Sequence, residues 1–219
     1  MNGKILDFRK KSRVKYQDDA LANLLAILKR KHSENYHHSV RVGRIGQALA
    51  HTLKFSQEDQ EKLLLGCLLH DIGKLMVPND ILDSDKRLTE DQWRIMKLHP
   101  IIGTELVSNL LPLSEDILGI IRHHHERWDG TGYPAGLKGE EIPLNARICA
   151  VADAFDSMVS HRPYNNRKSF DEALQELQEH VETQFDTAIV IKFSSILGCI
   201  RDIYPQGGES KRTTFCEEG

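Results

Sequence analysis

Leu21, Leu24, Leu25 and Leu28 recur at intervals of three and four, which predicts a helix over 18–31. Val42, Ile45 and Leu49 share one face of a second helix over 34–54. Leu64, Leu65, Leu68 and Leu69 mark a third over 57–70, with Ser56 placed to cap it. Gly73 and Pro78 stop that helix, so His70 and Asp71 fall in its last turn. Thr89 and Gln92 read as a capping box for a helix running toward His99, and Pro100 suits the first turn of the next one. Ser114 can cap a helix ending near His125. The stretch DGTGYPAGLKG over 129–139 holds four glycines and a proline, which predicts a loop. Residues 143–160 are apolar nearly all round and predict a buried helix. Ser169 and Glu172 form another capping box for 170–180, and a last amphipathic helix covers about 186–204. With no alternating run and no internal repeat, the expected fold is all-α.

Bulk composition changes this picture little. A chain of 219 residues suits one large domain with extensions, and a net charge of −3 argues against a DNA, RNA or membrane surface built on bulk electrostatics. No apolar run is long enough to span a bilayer, and the basic N-terminus lacks the apolar core of a signal peptide, so the expected location is cytoplasmic. Cys67, Cys149, Cys199 and Cys216 form no CxxC pair and read as reduced thiols.

One set of residues stands apart. His38, His70, Asp71, His99, His124, His125 and Asp153 are all metal-type ligands on or beside predicted helices, without a cysteine among them. Imidazole and carboxylate without thiolate suit iron, manganese, zinc or nickel, and helices can point such ligands inward around more than one ion. Asp153 lies in ARICAVADAFDSM, where an unpaired charge is costly; it must be paired, protonated or metal-bound. The alternative is an ion pair with Arg147 or Arg162. Three histidines, His123 to His125, stand together, and periodicity does not say which of them matter. Glu34 and His38 share a helix face at i, i+4, as surface pairs often do. Lys74 follows His70 by four residues and would face the same pocket if the helix continued; otherwise it is a solvated lysine. His32, His37, His51, His161 and His180 read as surface histidines. Such ions lower the pKa of a bound water and clamp phosphate oxygens, so phosphoester hydrolysis is the expected reaction class.

The motifs HSVRVG (38–43), LLHDIGKLMVPNDIL (68–82), LTEDQW (88–93), KLHPIIG (97–103), HHERWDGTGYPAGLKGEEIPLNARICAVADAFDSM (124–158), RPY (162–164) and TQFD (183–186) occur in this order. Together they resemble the HD-GYP family of cyclic-dinucleotide phosphodiesterases, from about Glu34 to Leu197. The resemblance implies an all-helical HD-domain bundle with a GYP loop at Gly132, Tyr133 and Pro134. It assigns metal ligation to His38, His70, Asp71, His99, His124, His125 and Asp153, leaves His123 as an extra, and has Asp71 bridge two ions. Glu34 matches a carboxylate found where a third ion binds, so two or three divalent ions are implied, with iron or manganese first. Cyclic di-GMP is the implied substrate, opened to pGpG and, with three ions, carried on to GMP. Lys74, with Asp71 the pair expected to be catalytic, would contact phosphate or assist the leaving oxygen. Arg162 would reach phosphate or base, and Asp156 would orient the site or contact the ligand. Asn165 replaces a basic residue common in relatives, which keeps cyclic GMP-AMP or a linear dinucleotide as alternative substrates. Relatives usually carry glycine and proline where Glu182 and Thr187 stand, which predicts a local change in the last helices. The GYP loop could dock a GGDEF-domain protein, and a homodimer is kept as a candidate assembly. The expected organisation is an extension or linker over 1–33, a catalytic domain over 34–205 and a disordered tail over 206–219. The expectation from 219 residues is that no full sensor domain accompanies the catalytic domain.

Overall fold

The computed structural model describes residues 19–84, 86–160 and 167–204. Helix α1 (residues 19–31) and α2 (Ser33–Thr52) are separated only at His32. Helix α3 (Gln57–Leu69) opens on Ser56, whose hydroxyl accepts from the Asp59 amide, satisfying an otherwise orphaned donor. A 3-10 turn, Ile72–Met76, and short α4 (Asn79–Leu82) follow. Helix α5 (Glu90–Met96) carries the Thr89–Gln92 capping box, and α6 (His99–Leu110) begins at His99 with Pro100 in its first turn. Helix α7 (Glu115–His123), the 128–143 loop region, and α8 (Leu144–Val159) complete the frame of the site. Helix α9 (Phe170–Glu179) has the Ser169–Glu172 capping box. Among the described residues the only β feature is an isolated bridge between Val181 and Phe185.

Two apolar cores hold these helices. The larger gathers Val42, Ile45 and Leu49 of α2 around Phe155 of α8 and Phe193. The smaller joins Leu24 and Leu28 of α1 to Leu69, Ile72, Val107 and Ile121. Helix α1, which falls within the stretch read as an extension, therefore contributes to the domain's own core. Helices α3 and α7 contribute to both cores, with Leu63, Cys67 and Ile120 in the larger and Leu69, Ile117 and Ile121 in the smaller. Gly73 sets how closely the pieces approach: a Cβ there would lie 2.0 Å from the His99 carbonyl oxygen and 2.6 Å from the Gly103 amide. This backbone-to-backbone packing draws the turn after Asp71 against the start of α6.

The last predicted helix is broken rather than continuous. It forms α10 (Thr187–Ser195), α11 (Leu197–Ile200) and a 3-10 turn, Arg201–Ile203. Ser194 and Ser195 donate side-chain bonds of 2.7 Å to the carbonyls of Ile191 and Lys192, which competes with the helical ladder just before the break. The bend turns Tyr204 back onto α8. Glu182 has φ 61°, in the left-handed region that favours glycine, and Thr187 is the first residue of α10, a position proline suits. The two departures from relatives thus sit at positions with a backbone reason for glycine and proline. Cys67 and Cys149 are buried free thiols, whereas half-buried Cys199 is disulfide-bonded, which corrects its reading as reduced. His32 is buried instead of lying on the surface. Residues 1–18, the RPY loop with His161, Arg162 and Asn165, and the 206–219 tail lie outside the described residues.

Candidate metal centre

Five helical elements converge on one point. His38 comes from α2, His70 and Asp71 from the end of α3, His99 from the start of α6, His124 and His125 from the end of α7, and Asp153 from α8. His38, His70, Asp71, His99 and His124 are buried, while His125 and Asp153 are half-buried. The ligand atoms fall into two groups, Asp71 with His99, His124 and His125, and Asp71 with His38 and His70. Asp71 belongs to both. Asp153 Oδ1 lies 3.0 Å from His38 Nε2 and 3.8 Å from His70 Nε2.

Three of the imidazoles are held in a ligand-ready state by backbone carbonyls close to them in sequence. Nδ1 of His70, His99 and His124 lies 2.7, 2.8 and 2.9 Å from the carbonyl oxygens of Cys67, Met96 and Ile121, each three residues earlier. A carbonyl only accepts, so each Nδ1 carries the proton and each Nε2 presents a lone pair inward. His99 Nε2 and His124 Nε2 then face each other at 3.3 Å, and both approach Asp71 Oδ1, at 3.2 and 3.9 Å. Two acceptors that close are a pair that a bound cation would satisfy. Burial, reinforced by His125, holds His124 well below the usual imidazole pKa; burial alone is the main cause that brings His125 down to about 3. Both are therefore neutral ligands. His38 Nε2, His70 Nε2 and Asp71 Oδ1 are buried without a hydrogen-bond partner. Although His38 Nε2 is 3.0 Å from Asp153, its geometry does not make a hydrogen bond there. Burial would raise the Asp71 carboxyl, but the Lys74 ammonium beside it is the main cause that holds it well below the usual range. Orphaned buried acceptors facing one centre fit divalent ions.

The other expected residues divide. Lys74 lies on the 3-10 turn, and its Nζ donates to Asp71 Oδ2 at 2.6 Å, so it does face the centre. Of the two arginines weighed as partners of Asp153, Arg147 is engaged elsewhere, its Nη1 pairing with Asp186 at 2.6 Å, and Arg162 lies outside the described residues. Asp156 is fully buried, and its Oδ2 accepts from His38 Nδ1 at 2.7 Å. Glu34 is exposed, acts electrostatically on Arg41, and falls in neither ligand group. His123 is half-buried, 3.5 Å from Glu126, and likewise outside both groups.

Tyr133 of the GYP loop is half-buried and turned inward. Its ring stacks on His125 with centroids 4.8 Å apart, and Lys97 Nζ lies 5.5 Å from its centre. Glu126, a position without a role in the expected ligand set, shapes the loop. Its buried carboxylate accepts from the Ala135 amide at 2.7 Å and the Leu137 amide at 3.1 Å. Gly132 lets the loop close: a Cβ there would sit 2.3 Å from the Arg127 amide and 2.5 Å from Glu126 Cα. A cavity of about 370 Å³ opens over His125 and Asp153 and is bounded by Tyr133, Arg127 and Gln184. A neighbouring groove of about 660 Å³ runs past Tyr133 and Lys97 to Trp93. No described helix is long and apolar enough to cross a membrane.

The sequence profile of the HD domain matches residues 20–189. The chain is 37% identical over 192 residues to a cyclic di-GMP phosphodiesterase of Thermotoga maritima, covering 85% of this chain and 52% of that protein. It is 41% identical over 151 residues to the cyclic di-GMP phosphodiesterase response regulator RpfG of Xanthomonas campestris, covering 68% and 40%. It is also 37% identical over 169 residues to the 3'3'-cGAMP-specific phosphodiesterase 3 of Vibrio cholerae, covering 77% and 36%. The chain thus spans about half or less of the length of these relatives. Among solved structures, Bd1817, a HDG"Y"P protein from Bdellovibrio bacteriovorus, superposes with a TM-score of 0.63 at 25% identity over 86% of this chain and 64% of that one. The convergent histidines and aspartates, the inward GYP loop and these matches lead to one conclusion: the chain belongs to the HD domain family, in its HD-GYP branch.

Proposed function

We propose that this chain hydrolyses cyclic di-GMP with two divalent ions, iron or manganese, opening the ring to pGpG. The observation that carries the reading is Asp71, shared by two ligand groups whose buried Nε2 atoms face one centre. One ion would be held by Asp71, His99, His124 and His125, the other by His38, His70 and Asp71 with Asp153 beside them. Such a pair, when bound, supplies an activated water and charge to stabilise an in-line displacement at phosphorus. The chain's own residues do the rest. Lys74, fixed by Asp71, presents its ammonium to a phosphate oxygen and can protonate the leaving ribose oxygen. Lys97, at the mouth, draws in the anionic substrate. Tyr133 walls the cavity on the side of His125, and the engagement of its ring there favours a substrate-facing role over docking of a GGDEF-domain partner. Arg162 is assigned a phosphate or base contact on the RPY motif alone.

The exposure of Glu34, outside both groups, favours two ions over three and pGpG over GMP as the product. A second reading, cyclic GMP-AMP as substrate, is supported by Asn165 and by the relative named for that nucleotide. Chromatography of products from the anaerobically metal-loaded protein tests both. Cyclic di-GMP converted to pGpG faster than cyclic GMP-AMP is opened is the expected result. Preference for cyclic GMP-AMP would move the assignment to the second reading, and no turnover of either would overturn both.

A further inference from the structure

We propose that Tyr204 and Arg41 are positioning residues for the metal centre, acting on His38 through Asp156. The inference rests on the reading of the cluster as a metal centre, but not on its substrate. His70, His99 and His124 are backed by backbone carbonyls. His38 is backed instead by a carboxylate, Asp156 Oδ2 at 2.7 Å. A carboxylate behind a ligating imidazole fixes its ring and makes it a stronger donor than a carbonyl does.

That carboxylate is held from every side. Arg41 Nε reaches Asp156 Oδ1 at 2.7 Å and Nη2 reaches Oδ2 at 2.9 Å, while Ser160 donates to Oδ2 at 3.0 Å. The Tyr204 hydroxyl donates to Oδ1 at 2.6 Å, across a buried contact from the end of the chain's last described turn. Arg41 itself is anchored by a 2.9 Å bond to Ser160 and lies over the Tyr204 ring at 5.9 Å. Burial and the adjacent carboxylate push the Tyr204 hydroxyl above its usual range, so it remains a donor. Its ring packs edge-on against Phe170 at 5.2 Å, so phenylalanine at this position keeps the packing and removes only the hydroxyl. Without that bond Asp156 Oδ1 keeps one donor, Arg41, and the His38 ring loses part of what fixes it. The two ligand groups are therefore unequal, and the one containing His38 depends on Arg201–Tyr204.

Titration calorimetry with Mn²⁺ on the metal-free chain tests this. Tyr204→Phe is expected to weaken Mn²⁺ binding by roughly 10-fold and Asp156→Asn by up to about 100-fold, the range for partners behind a metal ligand. The thermal midpoint of metal-free Tyr204→Phe should stay within a few degrees of the parent, which separates positioning from unfolding. In a His38→Ala background the Tyr204→Phe effect should vanish, because the path runs through His38. Parent-like Mn²⁺ affinity in Tyr204→Phe, or an equal loss with and without His38, would overturn the assignment. All of these readouts are metal binding and stability, so a failure of the cyclic di-GMP reading shows up separately, in the products.

Discussion

The ligand cluster and the GYP loop share a cavity wall, yet they are held by different kinds of interaction. In the cluster, three of the imidazoles are oriented by carbonyls only three residues away, so each of these ligands is prepared by its local backbone. The loop is oriented from a distance. Trp128 and Asp129 donate their amides to the carbonyls of Gln184 and Thr183, at 3.2 and 2.9 Å, and Glu126 collects the amides of Ala135 and Leu137. Chemistry that must be accurate thus sits on local helical geometry, while the wall that shapes the cavity depends on tertiary contacts. The difference implies that the two can be broken separately.

Asp71→Asn should have the largest effect. It weakens the ligand common to both groups, so both ions are lost together and turnover falls below detection, as metal analysis and product chromatography would show. Loss of a single ion would break the sharing. Gly132→Ala should come next and act on the loop alone. Its methyl would collide with the Arg127 amide and Glu126 Cα, displacing Tyr133; kcat/KM falls on the order of 100-fold while metal content is unchanged. Metal loss in that variant would mean that cluster and loop are not separable. Glu126→Gln leaves an amide donor facing a backbone N–H and should cost about 1–3 kcal/mol, seen as a lower thermal midpoint and a raised KM with both ions retained. Glu182→Gly should have the smallest effect and the opposite sign. Relieving a positive φ beside the loop's anchor should raise stability by about 1 kcal/mol in denaturant unfolding.

The same difference explains what the sequence discloses. Helix starts at Ser56, Thr89 and Ser169 are legible because a cap is a local bond, and all three side chains make it. The cluster is legible because histidine and aspartate at helix ends have few other uses, and the approach of Asp153 to His38 and His70 replaces the ion pair with Arg147 weighed for it. Asp156 shows the limit: its spacing after Asp153 marks it as near the site, but its full burial and its bond to His38, 118 residues away in sequence, come from tertiary packing. Tyr204 carries no local signal at all. It reaches Asp156 because the segment after Ser195 bends, where periodicity predicts one unbroken helix. Glu126 offers the weaker clue of a charged residue directly after two ligands, and its buried bonds to the loop amides are contacts nine and eleven residues away.

The most direct test of the central claim, two ions sharing Asp71, is electron paramagnetic resonance of the chain titrated with Mn²⁺ to saturation. Two Mn²⁺ per chain and the spectrum of a spin-coupled pair are expected. The six-line spectrum of isolated Mn²⁺ at full loading, or saturation at one ion, would contradict the claim.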